Sequence, residues 1–105
     1  MAKYRIVREK YSRCGGEGVV TSTFNADSDA EALVKVCDNC LYSYNDANGN
    51  ELGDEGFIMP SVDAVLRKIE SENGDGADYI FKIENIDTKA VLFEGEEFSE
   101  EEEEW

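Results

Sequence analysis

The sequence predicts an α+β domain: an antiparallel four-stranded sheet with two helices, in the order β-β-α-α-β-β, followed by a disordered acidic C-terminal tail. Three observations carry this reading. Short β-branched and aromatic segments come in two pairs, each joined by a turn, near the two ends of the chain. Two capped segments with helical apolar spacing lie between them. Beyond Glu94 the composition collapses to glutamate. At 105 residues the chain is long enough for one domain. The boundaries are 1–95 for the α+β domain and 96–105 for the tail.

Lys3 to Tyr11 reads as the first strand. Tyr4, Ile6 and Arg8 alternate with Arg5, Val7 and Glu9, and the first set points inward. Cys14-Gly15-Gly16-Glu17-Gly18 reads as a turn, since glycine accepts the positive φ of a hairpin loop. Val19 to Phe24 is the second strand, expected to pair with the first as neighbours in sequence usually do.

Ser28-Asp29-Ala30-Glu31 is a capping box. The Ser28 hydroxyl accepts from the Glu31 amide and the Glu31 carboxylate reaches back. Asp27 and Asp29 place negative charge at the positive end of the helix dipole. Behind the cap, Ala30, Leu33, Val34, Cys37, Leu41 and Tyr44 share one helical face.

Tyr42 to Gly56 is polar and glycine-rich, a long loop with a small hairpin expected around Asn48-Gly49. Pro60-Ser61 opens a second helix with Val62, Val65, Leu66 and Ile69 on one face, and Asn73-Gly74-Asp75-Gly76 ends it. Asp78 to Ile86 is the third strand, Asp87-Thr88-Lys89 a turn, and Ala90 to Glu94 the fourth strand. Eight of the last twelve residues are glutamate. Such a run repels itself and buries too little surface to offset ordering, so it reads as a mobile tail.

Charge excludes more functions than any motif suggests. The 25 Asp and Glu against 10 Lys and Arg give a net charge of -15. Nucleic acid and anionic membranes both select basic surfaces, so neither is an expected partner. The charge is uneven: residues 1–13 sum to +4, which leaves -19 for residues 14–105. With no histidine, the usual imidazole base and ligand are missing. No apolar run approaches the ~18 residues of a membrane span. The Met1–Arg5 opening lacks the apolar core of a signal peptide, and three cysteines form an odd set, so a reducing cytoplasm is the expected compartment.

Candidate chemistry is sparse. Cys37-Asp38-Asn39-Cys40 is a C-x-x-C, with Cys14 a possible third member. A redox pair prefers a helix N-terminus, and this one sits toward a C-terminus. Zinc needs four ligands, and only carboxylates could complete the set. The plainer reading makes Cys37 a core thiol, in register with the apolar face. Asp46-Ala47-Asn48-Gly49-Asn50 resembles the opening of a calcium loop. The sixth and twelfth positions, however, are Glu51 and Phe57 instead of Gly and Glu, so turn chemistry is the better reading. No nucleophile stands beside a base, and Gly15, Gly16 and Gly18 lie between strands, not ahead of a helix. The protein is therefore not expected to be an enzyme.

What departs from the norm is the acidity. An extended glutamate run places a carboxylate every ~3.3–3.6 Å, close to the ~3.4 Å charge spacing along one DNA strand. Such a surface can enter a basic groove and exclude nucleic acid. Plain solvation, or a tail folded back on the basic first strand, is the bland alternative. The partner-binding candidates are Asp46, Glu51, Asp54, Glu55 and Phe57 in the loop and Glu96, Glu97 and Phe98 in the tail. Tyr42, Tyr44 and Trp105 are further aromatic anchors.

The opening hairpin followed by Phe24-Asn25-Ala26-Asp27-Ser28-Asp29-Ala30-Glu31-Ala32 is similar to that of many small phage and plasmid proteins. Small, acidic, thiol-containing single domains also resemble phage anti-CRISPR and anti-restriction proteins in general character. The resemblance implies an inhibitor that binds a basic nuclease or its complex in a bacterial defence system. It carries no functional residue across. The rival expectation is a small metal- or thiol-dependent module using Cys14, Cys37 and Cys40.

Overall fold

In the computed structural model the described residues are 1–9, 18–75 and 78–95. The Cys14 to Glu17 part of the first turn and the tail candidates Glu96, Glu97, Phe98 and Trp105 lie outside them.

The order is β1 (Ala2–Glu9), β2 (Val19–Ala26), α1 (Asp29–Cys40), α2 (Val62–Glu72), β3 (Tyr79–Asn85) and β4 (Ala90–Glu94). This is the α+β arrangement the sequence predicts. The sheet order is β2-β1-β3-β4, and every pairing is antiparallel. The first strand is thus central, pairing with β2 from Ala2↔Ala26 to Glu9↔Val19 without a break. Its other side pairs with β3, with a register shift between Val7 and Arg8. A bulge of this kind increases local twist.

Period-two alternation puts Tyr4 and Ile6 of β1 on the buried face, at 1% and 3% exposure. Ile6 joins Ile80 and Ile83 of β3 against Leu33, Val34, Val36 and Cys37 of α1 and Val65 and Ile69 of α2. Both helices therefore serve one core. A second small cluster of Tyr4, Ala26 and Ala32 closes the end where β2 passes into α1. There Tyr4 stacks on Phe24 with ring centroids 5.7 Å apart, a geometry that adds to simple burial.

The capping box forms as read: Ser28 Oγ accepts from the Glu31 amide at 3.1 Å, and Glu31 Oε1 accepts from the Asp27 amide at 2.8 Å. Ser61 caps α2 through the Ala64 amide at 3.2 Å.

Some boundaries differ from the sequence reading. The spacing that carried α1 to Tyr44 runs on past its end at Cys40. Leu41 is extended, its N–H donating to Cys37 O, and Asp38 Oδ1 accepts from the Tyr44 amide. Leu41 and Tyr44 still pack against the core, from a loop. An apolar side chain needs burial and not a helix to reach it, so periodicity overran the helix. β2 runs two residues beyond Phe24, and Lys10 and Tyr11 lie outside the described residues. The segment around Asn48-Gly49 is a hydrogen-bonded turn and not a pair of strands.

Candidate partner-binding surface

The segment between the helices, residues 41–61, is organised around one carboxylate. Asp46 Oδ1 accepts from the amides of Asn48 at 2.8 Å and Asn50 at 2.9 Å, and Oδ2 accepts from the Ile58 amide at 2.9 Å. The Ile58 bond spans twelve residues and so closes the loop at its base. Main-chain bonds from Asp46 N to Asn50 O and from Gly49 N to Asp46 O complete the turn. Gly49 has φ +84°, a conformation glycine adopts without steric cost. The three amides, that of Ile58 foremost, hold the Asp46 carboxyl below its usual range.

A second carboxylate does similar work. Asp54 Oδ2 accepts from the Glu51 amide at 2.8 Å. Asn50 Nδ2 donates to Gly56 O at 3.3 Å, stitching the turns together. Tyr44, Leu52 and Phe57 then seat the loop on the core.

The sequence candidates thus divide. Asp46 is half-buried and committed to the backbone, so its role is to shape the loop. Glu51, Asp54 and Glu55 are exposed on the same loop. Phe57 is half-buried and packs against the core, as does Tyr44. Tyr42 is 51% exposed, with its hydroxyl donating to Asp75 O at 2.8 Å.

Reading aromatics alone overlooked Ile58 and Met59, at 58% and 41% exposure. A signal was present: Ile58-Met59 stands between Gly56 and Pro60, outside any helical or strand period, so no core position claims it. Two adjacent exposed apolar side chains on the loop that carries exposed Glu51, Asp54 and Glu55 give it both apolar and charged surface, the mix of a protein-binding site.

The cysteine motif has a different setting. Cys37 and Cys40 are both buried thiols that are not joined in a disulfide. Burial pushes the Cys37 thiol up to about 12, so it stays protonated and a poor nucleophile at neutral pH. Among the described residues no group of three or more His, Cys, Asp or Glu side chains is placed to hold a metal ion. Cys14, the third member of the expected set, lies outside the described residues. No helix among the described residues is long and apolar enough to cross a membrane.

No protein-family model matches the chain, and neither the curated proteins nor the solved structures compared with it contain a significant match.

Proposed function

We propose that the protein is a non-enzymatic interaction protein that blocks a basic, nucleic-acid-handling partner. It acts in the cytoplasm as an inhibitor of the anti-CRISPR or anti-restriction kind, and a nuclease of a bacterial defence system or its complex is the partner class the charge suits. The observation that carries this reading is the loop between the helices: exposed Glu51, Asp54 and Glu55 beside exposed Ile58 and Met59, on a backbone fixed by Asp46.

The two halves of that patch do different work. Carboxylates facing a basic groove raise the association rate and fix orientation, with modest energy each in high dielectric. Apolar anchors supply the lasting affinity. Pinning the loop through Asp46 lowers the ordering cost on binding, because the backbone is shaped beforehand. The glutamate-rich composition of residues 96–105 adds to the net negative charge.

The test is a DNA-cleavage assay with a panel of bacterial restriction and RNA-guided nucleases, with and without the purified protein. The expected result is inhibition of at least one nuclease, overcome by raising the concentration of cleavable substrate DNA. Absence of inhibition across the panel counts against the reading, as does inhibition indifferent to substrate concentration.

A further inference from the structure

We propose that the cleft between β2 and α1 is a binding site for a small organic anion, a carboxylate on an aliphatic or aromatic body. This stands apart from the acidic-loop reading, since no residue of the loop at 41–61 is among the described residues that line the cleft.

The cleft has a volume of about 400 Å³, within the ~300–1,000 Å³ typical of small-molecule sites. Short side chains open it. Ser22 stands opposite Ile6 in the β1–β2 register, so both face the helix side of the sheet. Asn39, in the last turn of α1, lines the other wall. Ile6, Phe24 and Val36 supply the apolar floor.

The charge of the lining runs against the charge of the chain. Two of the ten Lys and Arg residues, Arg8 and Lys35, line the cleft, and among the described residues none of the 25 Asp and Glu does. Arg8 follows Tyr4 and Ile6 on the helix side of β1, where period two would otherwise place a third core residue. Its Nε is buried without a hydrogen-bond partner, for Asp78 Oδ2 meets it at 3.0 Å only as an ion pair. Buried polar groups left in this way are rare in native proteins. A guanidinium presents five donors in a planar fork that matches a carboxylate. Arg8 stands opposite Val20, whereas Lys35 Nζ donates to Asn25 O at 2.9 Å, so the two cations mark opposite ends of the cleft. Glu31 Oε2 lies 3.7 Å from Lys35 Nζ, beyond hydrogen-bonding reach, while its Oε1 accepts from the Asp27 amide at 2.8 Å. Neither intramolecular ion pair therefore uses up its cation.

These features select the ligand. An apolar body covers Ile6, Phe24 and Val36, and a carboxylate pairs with the Arg8 guanidinium, with Lys35 adding to the local positive field. The net charge of -15 does not cancel that field. Screening at 0.15 M leaves exposed charges beyond ~8 Å largely without effect, and a concave site lined by one sign concentrates its own potential. A neutral apolar molecule covers both cations without giving either a partner. An apolar cation meets two like charges.

The experiment titrates the full chain, labelled with nitrogen-15, with octanoate at 0.15 M salt and reads proton–nitrogen correlation spectra. Octan-1-ol and octylammonium are the neutral and cationic controls. Octanoate is expected to shift the amides of Ser22, Phe24, Val36 and Asn39 and the Arg8 Nε–H signal together and saturably, with the amides of Ile58 and Met59 unmoved. Octan-1-ol is expected to bind at least tenfold more weakly, and octylammonium to leave the cleft signals in place. Arg8→Gln is expected to weaken octanoate binding at least tenfold and Lys35→Gln at least threefold. The Arg8 Nε–H signal of the unaltered chain gives a reading independent of how either variant folds. No saturable shift, an unmoved Arg8 Nε–H signal, or shifts scattered outside the cleft would overturn the proposal. So would octan-1-ol or octylammonium binding the cleft as tightly as octanoate, or both variants binding as the parent does.

Discussion

The side-chain amide of Asn73 pairs with both main-chain groups of Ile80: Oδ1 accepts from the Ile80 N–H at 2.6 Å, and Nδ2 donates to the Ile80 carbonyl at 3.1 Å. β4 has run out at this point of β3, and Asn73 at the end of α2 stands in for the missing strand. Ile80 is fully buried, so without Asn73 both groups lose their partner. An unsatisfied buried group costs about 1–3 kcal/mol. Asn73→Leu is therefore expected to destabilise the fold by about 2–4 kcal/mol in urea unfolding. Asn73→Asp should retain part of the loss, because a carboxylate accepts but cannot donate.

Gly95 sits buried beside the same corner, its N–H donating to Phe81 O at 2.7 Å. A Cβ there would stand 2.6 Å from Ile80 O and 2.9 Å from Tyr79 Oη. Ile80 O belongs to the main chain and cannot swing aside. Gly95→Ala is expected to cost about 1–3 kcal/mol, the range for overpacking, and thermal unfolding monitored by circular dichroism checks it.

Two buried acids set the alkaline limit. Burial pushes the Cys37 thiol up to about 12, and burial with the Asp29 hydrogen bond raises the Tyr4 phenol to about 12, from ordinary values of 9.0 and 10.0. The folded state keeps both protons where the unfolded chain sheds them. Stability is thus full below about pH 9 and falls as pH rises toward 12. Urea unfolding at pH 7, 9, 10 and 11 should show this decline. Tyr4→Phe should flatten it above pH 10 and cost about 1 kcal/mol at neutral pH, the typical net value of one hydrogen bond. Cys37→Ala should flatten the lower part and cost about 1–3 kcal/mol through its cavity.

Asp46 works in the opposite direction. Its carboxyl is held below the usual 3.8, so the contribution is present above that pH and lost as pH falls below it. Asp46→Ala should speed amide exchange at Asn48, Asn50 and Ile58 together, since one side chain serves all three. Glu51→Gln, which holds no loop contact through its side chain among the described residues, should leave exchange unchanged.

Much of the fold is legible in the residues themselves. The Ser28–Glu31 box is local chemistry and forms within five consecutive residues, Ser28 capping the Glu31 amide and Glu31 reaching back to the Asp27 amide. Tyr4 and Ile6 alternate on a strand that is central, so burial follows the simple period. The Asn73–Ile80 pairing was not legible, because it joins a helix end to a strand whose register depends on where β4 stops. Asp46 shows the same limit at the candidate surface. Spacing marks it as a turn residue, but its bond to Ile58 requires the loop to return twelve positions later. Ile58 and Met59 were missed because only aromatics were weighed as anchors, although their lack of any period was visible.

The loop's role in binding is tested most directly by the salt dependence of nuclease inhibition, compared between the parent and a Glu51→Gln, Glu55→Gln, Ile58→Ser triple variant. The measurement is the inhibition constant against a responsive nuclease from 50 to 300 mM salt. For the parent, inhibition is expected to weaken steeply across that range, as screening with a Debye length of ~8 Å at 0.15 M demands of exposed charges. For the variant, at least tenfold weaker inhibition and a flatter salt dependence are expected, with an unchanged melting temperature. Equal inhibition by the two proteins at every salt concentration would contradict the account and leave the acidity as solvation alone.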